Sequence, residues 1–250
     1  MALDLNKPAG ILVKTTCVDY PGLVAGSFFL KGCNLRCPYC YNISLVSGQA
    51  DNFSGEFTTV QTLFDHLEKR QGLLQGLVIS GGEPLLNPYT PLIISKAKEL
   101  GYKVKLDTNG SLPFELQAFL DNCDLRPDFV AMDIKTSPAH YATELCSRTS
   151  KFYGNEDYWK KTIAQSAQIL SKLPASQREY RTVLVPGLVS KADIKSIAAY
   201  LPEDASWRFA QFLNKNCLNP AYNEITPYTD REAEELVNYA KNFIPDSSLR

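Results

Sequence analysis

Three cysteines fall within eight residues of this 250-residue chain, in the run Cys33-Asn34-Leu35-Arg36-Cys37-Pro38-Tyr39-Cys40. Thiols this close either converge on a common centre or are held apart by the fold. A structural zinc ion takes four ligands, and no fourth cysteine or histidine lies nearby; His66 and His140 are the chain's two histidines. An iron–sulfur cubane normally takes four cysteines as well. Three thiolates therefore suggest a [4Fe–4S] cluster with one iron left open, where a substrate or cosubstrate can coordinate as at the open position of a catalytic zinc. Cys17, Cys123, Cys146 and Cys217 are scattered singly and are expected to be buried as small hydrophobes.

Other groups fit a polar ligand. In Ser80-Gly81-Gly82-Glu83-Pro84, paired glycines let backbone approach a ligand closely, and a tight strand-to-helix turn explains them equally well. Glu83 beside them is an acceptor suited to an ammonium group. Asp107-Thr108-Asn109-Gly110 contains an Asn-Gly turn signal, and Asp107 reads as a cap or a ligand. Asp133 and Lys135 flank Ile134 and share one strand face. A buried Asp–Lys pair is costly without further partners; a solvated strand end is the alternative. Arg181 sits inside an apolar run, and its guanidinium fork matches a carboxylate.

The elements that must position these residues alternate. Strands are expected over 24–30, 76–80, 103–107, 129–135, 180–185 and 207–212. Helical spacing of apolar residues predicts helices over 58–70, 91–100, 113–120, 158–173, 191–200 and 230–243. Alternating β and α elements imply a parallel sheet, and six βα units form an α/β fold, a partial (βα)6 TIM-type barrel. A doubly wound open sheet is the alternative, because order alone does not fix closure. The polar residues cluster at the C-terminal strand ends, the edge where such folds build active sites. No linker or repeat divides residues 1–250, so one domain is expected.

Composition excludes several classes. Hydrophobic residues make up 44% and charged residues 21%, enough for a buried core. With 26 basic and 27 acidic residues and a net charge of −1, nothing favours nucleic acid or an anionic membrane. No apolar run reaches the roughly 20 residues of a membrane span, and no export signal is visible, so a cytoplasmic protein is expected.

The motifs carry a resemblance. Cys33-x3-Cys37-x2-Cys40, with the aromatic Tyr39 before the last cysteine, and Gly81-Gly82-Glu83-Pro84 after the next strand resemble the signature of the radical S-adenosylmethionine (SAM) superfamily. Val18-Asp19-Tyr20-Pro21-Gly22 resembles the glycyl-radical-enzyme activases. With Asp107-Thr108-Asn109-Gly110, Met132-Asp133-Ile134-Lys135 and Arg181-Thr182-Val183-Leu184-Val185-Pro186-Gly187, it is most similar to the activators of anaerobic ribonucleoside-triphosphate reductase. The likeness runs from about residue 8 to about residue 212. It implies the radical SAM fold, a [4Fe–4S] cluster on Cys33, Cys37 and Cys40, and SAM chelated at the open iron. It further implies Gly81, Gly82 and Glu83 at the methionine amino end, with Lys135 and Arg181 at its carboxylate. Asp107 and Asp133 would lie at ribose or a monovalent cation, Tyr39 at adenine through its backbone, and Asp19 where the partner's glycine loop enters. A flavodoxin or ferredoxin would donate electrons. Tyr20 and Tyr41 depart from the pyruvate formate-lyase activases; that activity, or a small-molecule enzyme such as 7-carboxy-7-deazaguanine synthase, is the alternative.

Overall fold

Short apolar, β-branched runs make the strands here, and polar or glycine-rich punctuation ends them. The computed structural model describes residues 3–47 and 57–250. The chain divides into two units, one comprising Met1–Asn34, Asn42–Thr108 and Gln117–Val130, the other Leu35–Tyr41, Asn109–Leu116 and Ala131–Arg250.

The first unit contains β1 (Pro8–Thr16), β2 (Ala25–Leu30), α1 (Ile43–Ser47), β3 (Thr58–Thr59), α2 (Val60–Lys69), β4 (Gly76–Gly81), α3 (Thr90–Glu99) and β5 (Lys103–Thr108). The strands lie in the order β3-β1-β2-β4-β5. β2, β4 and β5 are parallel, with Ala25 opposite Gly76 and Gly76 opposite Lys103. Phe28, Leu30, Leu77, Ile79, Val104 and Leu106 have no exposed surface. Burying each such side chain contributes about 1.5–3 kcal/mol. The near-continuous apolar runs are those of strands buried on both faces. Thr59 starts α2 by accepting from Thr62 N, and Val60, Leu63, Phe64 and Leu67 form its buried stripe.

Two strands here differ from the expected set. β1 pairs antiparallel with β2 and with β3. Much of β1 is exposed, so it lacks the apolar run that marks the parallel strands.

Two elements cross the division, α4 (Pro113–Asp121) and β6 (Phe129–Asp133). The second unit continues with α5 (Pro138–His140), which runs into a π-helical turn over Tyr141–Leu145, then α6 (Glu156–Ser171), β7 (Arg178–Leu184), α7 (Lys191–Ala198), β8 (Trp207–Gln211), α8 (Asp230–Ala240) and β9 (Ser247–Leu249). Its strand order is β6-β7-β8-β9. β7 and β8 are parallel with Tyr180 opposite Trp207, and β9 extends the parallel set with Ser247 opposite Trp207. Capping boxes start α7 at Ser190 with Asp193 and α8 at Thr229 with Glu232, satisfying N–H groups that the first helical turn leaves open. Trp207 is fully buried, and its indole N–H donates to Thr182 Oγ1 at 3.0 Å. Among the described residues, no helix is long and apolar enough to cross a membrane.

Candidate active site

In the first unit the glycine motif is bound to the backbone that carries Cys33. Gly81 ends β4 at φ +120°, and a Cβ there would stand 2.3 Å from Leu30 N and O. A Cβ on Gly82 would stand 2.0 Å from Gly32 O. Gly82 N donates to Leu30 O and Glu83 N to Gly32 O, both at 2.8 Å. These glycines thus admit the chain's own backbone, the Leu30–Cys33 segment. Glu83 is fully buried. Its Oε1 accepts from Thr108 Oγ1 at 2.8 Å and from Leu85 N at 3.2 Å, the second bond capping the short turn Pro84–Leu86.

Asp107 lies one residue from the end of β5. Its Oδ1 is 2.5 Å from Lys105 Nζ, with side-chain exposures of 12% and 1%. Neither Lys105 nor Thr108 stands out in the sequence. The period-two alternation of Lys105 and Asp107 was the available signal for the first; only strand register relates Thr108 to Glu83.

Asp19 Oδ2 accepts from Ser27 Oγ at 2.6 Å, and Asp19 N donates to Thr16 Oγ1 at 3.4 Å. Its neighbour Tyr20 belongs to the core with Ala25 and Val78, its ring 6.1 Å from Phe129. Burial, and then the charge of Asp128, push the Tyr20 phenol up to about 12. Pro21 and Gly22, the latter at φ +74°, form the turn that Leu23 N closes onto Tyr20 O at 3.2 Å.

In the second unit the rest of the cysteine loop is pinned on two sides. Leu35 bridges to Cys146, and Arg36 N donates to Leu145 O at 2.8 Å. Leu218 N donates to Cys40 O at 2.8 Å and Asn219 N to Pro38 O at 2.9 Å. Cys40 N closes a turn onto Cys37 O at 3.0 Å. Cys37 is buried and Cys40 partly exposed. Tyr39 is buried, its ring edge-on to Phe212 at 6.4 Å. Its hydroxyl is buried with no hydrogen-bond partner among the described residues. Burial first, and then the charge of Cys37, hold that phenol well above its ordinary value.

Asp133, the last residue of β6, is clasped from two sides. Arg181 Nε is 2.6 Å from Oδ1 and Lys135 Nζ 2.9 Å from Oδ2. Burial acts to raise the Asp133 carboxyl, but Arg181 and Lys135 outweigh it and hold it well below the carboxylate range. Burial likewise acts to lower the Lys135 ammonium, and Asp133 more than reverses this. Lys135 N donates to Tyr141 Oη at 2.8 Å. Arg181 stands mid-strand in β7, whereas Asp107 and Asp133 sit at strand ends. Asn109 serves its own turn, accepting from Ser111 N at 2.9 Å.

The scattered cysteines divide. Cys146 and Cys217 are buried as expected, but Cys17 and Cys123 are exposed, because each lies in a surface connection between elements. Among the described residues, no three or more His, Cys, Asp or Glu side chains gather closely enough to hold one metal ion. A cubane distributes its thiolates over separate irons, so it does not require convergence on one ion.

The radical SAM superfamily profile matches residues 27–195. A "putative glycyl-radical enzyme activating enzyme" of Methanocaldococcus jannaschii is 29% identical over 240 residues, 96% of this chain and 94% of that protein. The 7-carboxy-7-deazaguanine synthase of Aquifex aeolicus is 36% identical over 91 residues, 36% of this chain and 38% of that protein. The crystal structure of QueE from Escherichia coli superposes with a TM-score of 0.54 at 12% identity, covering 97% of this chain and 93% of that one, a likeness of α/β fold alone. With the profile spanning more than half its length, the chain belongs to the radical SAM superfamily.

Proposed function

We propose that this chain is an activase that generates a glycyl radical on a partner enzyme, using the [4Fe–4S] cluster and SAM that superfamily membership implies. Anaerobic ribonucleoside-triphosphate reductase is the partner this reading favours, with a flavodoxin or ferredoxin as electron donor in the cytoplasm. The observation that carries it is the breadth of the match to the M. jannaschii protein, 240 residues against 91 for the deazaguanine synthase.

The residues present fit the implied groups. The loop offers three thiols of the type that holds iron–sulfur clusters. Beside Cys37 it also buries a phenol hydroxyl that has no partner among the described residues. Such a donor costs about 1–3 kcal/mol when unsatisfied, and sulfide, thiolate or cosubstrate atoms supply acceptors. When bound, these groups supply a one-electron cleavage that gives methionine and a 5′-deoxyadenosyl radical able to take hydrogen from a glycine Cα.

In this reading Cys33, Cys37 and Cys40 hold the cluster. Gly81, Gly82 and Glu83 set backbone and carboxylate at the methionine ammonium. Lys135 and Arg181 carry two positive charges against the one of Asp133, and the surplus suits the methionine carboxylate. Asp133 keeps both cations oriented. Tyr39 offers its backbone to adenine, and Asp19, held by Ser27, meets the partner's glycine loop. The resemblance would set ribose or a monovalent cation at Asp107 and Asp133, and at Asp107 the Lys105 ammonium already stands 2.5 Å away.

The test is SAM cleavage by the anaerobically reconstituted protein with a reductant. Cys37→Ala should abolish 5′-deoxyadenosine formation. Asp19→Ala should keep it while losing radical transfer to the partner reductase. Equal loss of both activities in Asp19→Ala would remove Asp19 from partner recognition. Cleavage that needs a small-molecule substrate and never a protein would move the assignment to the synthase reading.

A further inference from the structure

We propose that Lys105 is the resident cation of this site: a positioning residue whose buried ammonium occupies the place beside Asp107 that a monovalent metal ion would otherwise take. The inference rests on the reading that Asp107 serves SAM binding.

Lys105 is wholly buried in β5, between Val104 and Leu106, which are wholly buried too. Its Nζ is 2.5 Å from Asp107 Oδ1. The two residues are i and i+2 on one strand, so the strand itself sets them on one face. A buried ion pair is poor value as a stabiliser, since apolar residues of similar size often do as well or better. This pair also stands where β5 ends, the edge at which parallel α/β folds bind ligands. The next residue, Thr108, donates to Glu83. The end of β5 therefore holds two carboxylates of the first unit, Asp107 through an ammonium and Glu83 through a hydroxyl.

A metal cation beside Asp107 would face that ammonium at close range, with like charges repelling strongly in a buried setting. Lys105 instead supplies the charge covalently, at fixed occupancy and whatever the surrounding salt. SAM binding should then be indifferent to which monovalent cation is present.

The experiment compares KCl, NaCl and tetramethylammonium chloride at equal ionic strength. It measures SAM affinity of the reconstituted protein by calorimetry and the unfolding midpoint of the cluster-free protein. Wild type should show the same SAM affinity within about twofold and the same midpoint in all three salts. Lys105→Met should weaken SAM binding about ten- to a hundredfold in tetramethylammonium chloride, with potassium or sodium restoring part of the loss. If Lys105→Met does not fold, Lys105→Met/Asp107→Asn removes both charges. That variant should fold and bind SAM weakly in every salt. A potassium- or sodium-specific rise in wild-type affinity or midpoint would overturn the proposal, because ligands that bind only the native state raise its stability. So would undiminished SAM binding by either variant in tetramethylammonium chloride. Should no form bind SAM, the activase reading fails, and the wild-type midpoints still decide whether a cation binds.

Discussion

Gly82→Ala tests the physical link between the glycine motif and the cysteine loop. A Cβ at position 82 would lie 2.0 Å from Gly32 O, 2.6 Å from Gly32 C and 3.2 Å from Cys33 N. All three atoms are backbone, so no side chain can swing away. Restoring ordinary contact requires the segments to part by roughly 1.5 Å. That movement strains or breaks the bonds from Gly82 N to Leu30 O and from Glu83 N to Gly32 O, each worth about 1 kcal/mol net. Overpacking adds about 1–3 kcal/mol. The sum is about 3–5 kcal/mol, which lowers the unfolding midpoint by roughly 6–20 °C in a chain of this size. Because Cys33 follows Gly32, iron and sulfide content after reconstitution should fall too. Gly101→Ala is the control. Its φ is +85° but nothing lies within 4 Å of its Cβ position, so it should cost only about 1–2 kcal/mol and keep full iron. The assays are thermal unfolding and iron and sulfide analysis under anaerobic conditions. A Gly82→Ala protein with the wild-type midpoint and full iron would refute the reasoning.

Asp133→Asn should destabilise the protein by about 2 kcal/mol or more at pH 7, leaving Lys135 and Arg181 without their anion. Because the folded carboxyl is depressed, its contribution is present above the unfolded value near 4 and fades as pH falls through the folded value. Urea titrations from pH 7 downward should show this acid loss in wild type and a flatter limb in Asp133→Asn. Tyr20→Phe should remove part of the alkaline loss between pH 10 and about 12. There the raised phenol favours the folded state only while protonated, which the same titrations at high pH would check. Thr108→Val deprives buried Glu83 of a donor at 2.8 Å. It should cost about 1.5–3 kcal/mol and weaken SAM binding, measured by unfolding and calorimetry.

The six foreseen strands were legible because short apolar and β-branched runs, bounded by glycine or polar turn residues, mark them. β1 was not, since its exposed stretch, Val13 to Thr15, carries polar Lys14 and Thr15 and gains its strand character by pairing with β2. β9 is three residues, two of them serines, ordered by β8. At the site, spacing alone marked the cysteines, Asp133 and Lys135. The clasp of Arg181 on Asp133 depends on strand register, which short-range pattern does not carry. Lys105 is not legible as a site residue because a lysine is usually exposed, and only its burial beside Asp107 gives it meaning. Tyr20 shows the reverse: it belongs to a motif phrase, yet its ring serves the core, leaving Asp19 as the residue of that phrase with a polar role.

The most direct test of the central claim uses anaerobic ribonucleoside-triphosphate reductase carrying glycine deuterated at Cα. It is incubated anaerobically with the reconstituted chain, SAM and a reductant. The activase account predicts a glycyl radical in the paramagnetic resonance spectrum of the reductase and one deuterium in the 5′-deoxyadenosine released, both absent with Cys37→Ala. Deoxyadenosine formed without deuterium, and without any radical on the reductase, would contradict it.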